Sequence, residues 1–197
     1  PSSAKSIYEN ASAQIQTDSF SIKNLIRKMN VKVICTTDDP IDSLEYHKRL
    51  SESDFEVKIK PAFRPDKAME VASAATFIAY VKKLESVTNL SVSSFEDYLF
   101  ALQNRHDFFA SMGCAVSDHG LEEIYVEDFT GQEIESIFTK VYGGKDLSLI
   151  EQRKFKSCML LHFAAWDWEK GWVQQYHLGA LRNNNSRMLS KLGPDTG

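Results

Sequence analysis

The chain has 197 residues, of which 43% are hydrophobic and 25% charged, and its formal net charge is −4. This composition is typical of a globular protein and excludes a disordered or fibrous chain. No run of about 18 apolar residues occurs, so no membrane span is expected, and the scattered Lys and Arg residues argue against nucleic acid as a partner.

The cysteines and the N-terminal sequence predict a cytoplasmic protein. Cys35, Cys114 and Cys158 are odd in number, far apart and in apolar surroundings. This pattern predicts reduced core residues rather than disulfides or a zinc site. Residues 1–16 lack the charged and then apolar layout of a signal peptide.

Four short apolar or β-rich segments are predicted to be strands. They are residues 31–37, 55–63, 114–117 and 172–177. Helical patterns separate them, which predicts parallel pairing with helical crossovers and therefore an α/β fold, either a barrel or a doubly wound sheet. We expect one α/β domain over residues 1–197, with a helical insertion over residues 66–112.

Three helix starts carry a Ser/Thr-x-x-Glu pattern, in which the two side chains satisfy first-turn amides. These pairs are Ser93 with Glu96, Thr130 with Glu133, and Ser148 with Glu151. The sequence therefore predicts capped helices beginning after residues 93, 130 and 148.

All four predicted strands end in polar or ionisable residues, namely 36–40, 64–67, 117–120 and 177–182. In parallel α/β folds the carboxyl ends of strands carry the ligand site. A simpler reading is available for the first group, because Asp38, Asp39 and Pro40 also suit the start of a helix.

Two strand ends supply candidate binding and acid–base groups. Arg64, between an aromatic residue and a proline, suits bidentate binding of a carboxylate, although it could also extend over the helical insertion. Asp118 could act as a general base or orient one. Asp118 and His119 could equally be a helix cap and its neighbour.

The sequence QQYHLGALRNNN, residues 174–185, concentrates hydrogen-bonding groups at the last strand. His177 could serve in acid–base chemistry, metal ligation or substrate contact, or be a hydrogen-bonded core residue. Arg182 and the three Asn residues after it could bind an oxygen-rich ligand or simply form a polar helix start.

Four segments together resemble the uronate (glucuronate) isomerase family of the amidohydrolase superfamily. They are VKVICTTDDPIDSLEYHKRL, FRPDKAME, FFASMGCAVSDHGLEE and WVQQYHLGALRNNNSRMLSKLGPDTG. The resemblance implies a portion of a (β/α)8 TIM-type barrel whose first and last strands are missing. It also implies interconversion of D-glucuronate with D-fructuronate and of D-galacturonate with D-tagaturonate.

The resemblance also implies roles for individual residues. Asp118 and His177 would be catalytic, and Arg64, His119 and Arg182 would bind the substrate. The family uses a divalent metal, expected to be zinc, held by a His-x-His pair and an Asp on strands outside this chain. No His-x-His pair occurs in the 197 residues, so we expect the chain alone to be inactive.

Two further expectations complete the reading. A homo-oligomer is expected because a few parallel strands leave open sheet edges. The rival to the isomerase is a non-catalytic module that binds sugar acids through Arg64, Asp118 and His177 without turning them over.

Overall fold

The computed structural model describes residues 3–179 and 183–193 and divides the chain into two compact units. The first unit comprises Pro1–Thr36 with Glu45–Lys60, and the second comprises Thr37–Leu44 with Pro61–Gly197. Over the described ranges, no helix combines the length and apolar character that a membrane crossing requires. The single domain and the insertion stay predictions.

From residue 3 onward, where the description begins, the first unit contains three α-helices and two short strands. In chain order these are α1 Ala4–Ile15, α2 Ile22–Lys28, β1 Val33–Cys35, α3 Glu45–Ser51 and β2 Lys58–Lys60. The strands pair in parallel, with Ile34 opposite Ile59. Both are shorter than the predicted ranges 31–37 and 55–63.

Within residues 37–44, 61–179 and 183–193, the second unit has five α-helices and two longer strands. In chain order these are α4 Ala74–Thr88, α5 Phe95–Ser111, β3 Val116–Leu121, α6 Gly131–Tyr142, α7 Leu149–Lys170, β4 Val173–Leu178 and α8 Ser186–Leu192. Strands β3 and β4 pair in parallel, so the predicted parallel α/β arrangement is confirmed.

Backbone hydrogen bonds place four segments of the second unit side by side in chain order. The amide of Asp38 donates to Ala62 over 3.0 Å, and the amide of Phe63 donates to Val116 over 3.1 Å. Asp38 and Phe63 form a parallel bridge, as do Phe63 and Ser117. Strand β4 pairs with β3 on the other side. Residues on the segment of Phe63, on β3 and on β4 therefore lie near one another.

Local capping determines where the long helices begin. Thr130 with Glu133 and Ser148 with Glu151 form capping boxes at α6 and α7, as predicted. The predicted start at Ser93 is wrong by one residue. Ser94 caps α5, because its hydroxyl accepts from the Asp97 amide and the Asp97 carboxylate bonds the Ser94 amide in return.

An aromatic core packs four helices of the second unit against one another. Phe77 of α4 contacts Tyr98 of α5 edge-on, with ring centroids 5.5 Å apart, and the same ring contacts Phe138 and Phe155. These rings are almost fully buried. Tightly packed aromatic side chains of this kind leave little freedom for the helices that carry them.

Strand β3 extends beyond its predicted range. The sequence pattern placed residues 114–117 in a strand and the next three residues after its end, whereas the observed strand runs from Val116 to Leu121. Asp118 and His119 are therefore strand residues and not a helix cap. Asp118 tolerates this burial because Arg64 and His177, on neighbouring segments, pair with its carboxylate. His119 bonds Ser117 within the same strand.

Candidate active site

The alternation of side chains along β3 and β4 separates two polar layers. Successive side chains of a strand point to opposite faces of a sheet, and the observed register pairs Asp118 with Gln175 and His119 with Tyr176. Asp118, Gln175 and His177 accordingly share one face. Ser117, His119, Gln174 and Tyr176 share the other, which packs toward the helices.

The first layer brings together three of the residues singled out from the sequence. Arg64 Nη2 forms an ion pair with Asp118 Oδ2, and His177 Nδ1 lies 2.6 Å from Asp118 Oδ1. The Asp118 side chain is only 8% exposed, whereas that of His177 is 53% exposed. The buried carboxylate of Asp118 thus pairs with both the guanidinium of Arg64 and the solvent-exposed imidazole of His177.

The hydrogen-bond partners of His177 fit one tautomer of its ring. Asp118 only accepts, so Nδ1 carries a proton and donates to it. Nε2 lies 3.0 Å from the amide nitrogen of Gln175, which donates to an unprotonated ring nitrogen. Arg64 Nη2 also lies 3.3 Å from Nδ1; since both groups donate to one carboxylate, this approach is a contact and not a hydrogen bond.

Arg64 is itself held by the loop that follows Phe63. Its Nε lies 3.7 Å from Asp66 Oδ2, and the same carboxylate oxygen accepts from the Gly120 amide over 3.0 Å. Asp66 thereby fixes the guanidinium to β3. These side chains border a cavity of about 360 Å³ that is also lined by Lys67, Glu122 and Asn183.

The second layer centres on Asp167 of α7, which is 1% exposed. Its carboxylate accepts from Ser117 Oγ over 2.6 Å and from Gln174 Nε2 over 3.0 Å. It also lies 2.9 Å from Nε2 of His106, a residue of α5 that is equally buried. One carboxylate thus bonds β3, β4 and α5.

His119 belongs to this second layer rather than to the Asp118 layer. Its Nε2 lies 3.1 Å from Ser117 Oγ, and its ring stacks on Tyr176 with centroids 5.0 Å apart. Burial lowers the pKa of His119 to about 4, so the imidazole is neutral at pH 7. Because Ser117 donates its one hydroxyl proton to Asp167, His119 Nε2 donates to Ser117.

The sequence model that describes glucuronate isomerase matches residues 1–197, the whole chain. The chain belongs to the glucuronate isomerase family. A uronate isomerase of Bacteroides thetaiotaomicron is 53% identical over all 197 residues, which cover 42% of that protein. The chain therefore spans less than half the length of this curated relative.

Solved structures of family members have the same fold. The uronate isomerase of Thermotoga maritima matches 89% of this chain and 39% of its own with a TM-score of 0.83 at 35% identity. The glucuronate isomerase of Caulobacter crescentus matches 100% of this chain and 40% of its own with a TM-score of 0.89 at 28% identity.

The site residues predicted from the sequence do not all lie together. Arg64, Asp118 and His177 lie together, and His119 lies on the opposite strand face. Arg182 falls outside the described residues. Their roles stay predictions. Within residues 3–179 and 183–193, no group of three or more His, Cys, Asp or Glu side chains could hold a metal ion, so this part of the chain does not fit the expected zinc.

The sequence interpretation missed the second layer. It named neither Asp167 nor His106 as a candidate site residue. A usable signal was present, because Asp167 follows Phe163 by four residues and so lies on the apolar face of α7. A carboxylate on such a face requires a buried donor.

Proposed function

We propose that the full-length protein that carries this chain is an aldose–ketose isomerase of sugar acids. It interconverts D-glucuronate with D-fructuronate and D-galacturonate with D-tagaturonate. The observation that carries the proposal is the hydrogen-bonded pair of Asp118 and His177 beside Arg64, in a chain that belongs to the glucuronate isomerase family.

The reaction needs a group that accepts and returns a proton. An aldose becomes a ketose when the proton on C2 is removed, the hydroxyl proton on C2 is lost to give a carbonyl, and C1 and its oxygen are protonated. His177 suits the carbon proton, because Asp118 holds Nδ1 protonated and thereby leaves Nε2 as the basic nitrogen. Gln175 would release Nε2 when the substrate binds.

Arg64 suits the substrate carboxylate or a hydroxyl. Its guanidinium is planar and bears five donors, of which the described contacts with Asp118 and Asp66 use only part. Arg64 Nε is buried and has no hydrogen bond within the described part of the chain. Arg64 also lines the neighbouring cavity, where an oxygen-rich sugar acid could accept from guanidinium donors that these contacts leave open.

The proposal also covers the fold, the metal cofactor, the cellular location and the oligomeric state. Four segments in parallel and in chain order support a portion of a (β/α)8 barrel of the amidohydrolase type. A divalent metal, expected to be zinc, belongs to the proposed enzyme, and the described residues of this chain do not fit it. The three free cysteines support a cytoplasmic protein, and a homo-oligomer is proposed.

Ketose formation from D-glucuronate tests the function. The full-length protein is assayed with and without added zinc, and the 197-residue chain is assayed in parallel. We expect turnover by the full-length protein and none by the chain. A full-length, zinc-loaded protein that binds uronate without forming ketose would establish the rival, a sugar-acid-binding module.

A further inference from the structure

The layer beneath the candidate site contains a buried carboxylate that the proposed chemistry does not use. Asp167 and His106 are each 1% exposed, and Ser117 is fully buried. Burying a charge-bearing group is costly unless it is fully hydrogen-bonded. A carboxylate in this position therefore indicates a hydrogen-bonding role that an apolar residue could not fill.

Asp167 forms hydrogen bonds to both strands of the candidate site. Ser117 immediately precedes Asp118 in β3, and Gln174 immediately precedes Gln175 in β4. Asp167 Oδ2 accepts from both Ser117 and Gln174, over 2.6 and 3.0 Å. A single oxygen atom thus joins the two strands on the face opposite to the proposed acid–base pair.

We propose that Asp167 is a positioning residue, which holds β3 and β4 so that Asp118 and His177 stay within hydrogen-bonding distance. The inference rests on the proposed function for its effect on turnover. Its structural part stands on the contacts alone. A shift of one strand along the other would lengthen the 2.6 Å bond between Asp118 and His177, and a catalytic group misplaced by about 1 Å can cost on the order of 100-fold in rate.

His106 completes the arrangement by fixing Asp167 from the other side. Its Nε2 bonds Asp167 Oδ1, and its ring lies against that of Trp172 with centroids 4.0 Å apart. Trp172 directly precedes β4. The carboxylate is therefore oriented by α5, while its second oxygen remains for the two strands.

Substitutions of nearly constant size test the inference in the full-length protein. Asp167→Asn replaces one acceptor with a donor that opposes the Ser117 hydroxyl or the Gln174 amide. Ser117→Ala and Gln174→Met each remove one hydrogen bond between a strand and Asp167. These two variants test the inference if Asp167→Asn does not fold. We expect kcat to fall about tenfold or more for Asp167→Asn and about threefold for the milder variants, with KM changed less than threefold.

The control removes another bond between the same two helices. Asp107 of α5 pairs with Lys170 of α7 over 2.5 Å, and both side chains are more than a third exposed. Asp107→Asn should leave kcat and KM unchanged. A kcat for Asp167→Asn, Ser117→Ala and Gln174→Met within twofold of the unmodified protein would overturn the inference.

A second readout does not require turnover. The ¹⁵N resonance of His177 Nδ1, recorded on the 197-residue chain, reports its bond to Asp118. We expect this resonance to move in the folded variants of Asp167, Ser117 and Gln174 and to stay in place in Asp107→Asn. If the unmodified full-length protein forms no ketose, the proposed function fails, and an unmoved resonance would independently refute the positioning role.

Discussion

Nδ1 of His177 and Oδ1 of Asp118 are 2.6 Å apart, although the two residues are borne by different strands and are not directly opposite in the register. Asp118 pairs with Gln175, so the imidazole reaches back along the sheet to the carboxylate. A contact of this geometry depends on both strands at once. The first prediction follows from it.

Substitution of either residue should impair turnover to a similar degree. We expect Asp118→Asn and His177→Asn in the full-length protein each to lower kcat by at least about 100-fold, the scale of general acid–base catalysis. The double variant should be little worse than the poorer single variant, because the two side chains act as a unit. Ketose formation measures kcat, and calorimetry should show substrate binding largely kept.

The exposed carboxylate of Asp54 provides a control for this prediction. Asp54→Asn changes the same functional group in the first unit and should leave kcat within twofold. Full additivity of the Asp118 and His177 effects would show that the residues work independently.

A second prediction concerns the stability of the chain. Arg64→Met leaves the buried Asp118 carboxylate without its guanidinium partner, whereas Asp118→Asn removes the charge that needs one. We expect the two substitutions to be non-additive, with a coupling free energy of about 1–3 kcal/mol. Urea unfolding of the four proteins of this double-mutant cycle measures it, and a coupling indistinguishable from zero would contradict the ion pair.

A third prediction concerns pH. The pKa of His119 is lowered from 6.5 to about 4 by burial, so the unfolded chain binds more protons than the folded chain between these values. The contribution of His119 to stability is therefore fully present above pH about 6.5 and is lost as pH falls toward about 4. Between pH 7 and pH 5 the loss is at most about 2 kcal/mol.

His119→Gln isolates this contribution, because glutamine can still donate to Ser117 but does not titrate. The free energy of unfolding in urea should fall less between pH 7 and pH 5 for the variant than for the unmodified chain. The other histidines affect both proteins alike. Identical pH dependence would mean that His119 is protonated as easily in the folded state as in the unfolded state.

A fourth prediction distinguishes two neighbouring serines at the start of α5. The Ser94 hydroxyl accepts from the Asp97 amide over 3.1 Å, whereas the Ser93 hydroxyl donates to the Asp97 carboxylate. Ser94→Ala should cost about 1 kcal/mol of stability, the usual value of an N-cap, and Ser93→Ala should cost less than half of that. If thermal or urea unfolding showed Ser93→Ala to be more destabilising than Ser94→Ala, the helix start predicted from the sequence, at Ser93, would be correct.

Features that depend on neighbouring residues could be predicted from the sequence. The helix starts at Thr130 and Ser148 were predicted correctly, because a capping box satisfies its amides within four residues. The parallel arrangement followed from the alternation of strands and helices. The start of α5 was missed by one residue, since Ser93 and Ser94 both precede an acidic residue at capping distance.

Features that depend on distant partners could not be predicted. Nothing local marks Asp118 and His119 as buried strand residues, because polar residues usually end a strand. Asp118 is paired with Arg64, about 50 positions earlier in the chain, and Ser117, to which His119 bonds, is paired with Asp167, 50 positions later. The pairing of His106 with Asp167 crosses 61 positions, so the apolar face of α7 indicates that Asp167 needs a buried donor but does not identify His106 as that donor.

These sequence separations also bear on how the chain folds. Helices α6 and α7, which lie between β3 and β4, have local caps and can form within microseconds. The bond from Gln175 to Asp118 spans 57 positions, and the approach of Arg64 to His177 spans 113. Contacts that close such long loops form slowly. The acid–base pair is therefore among the last parts of the second unit to assemble, after the helices that will support it.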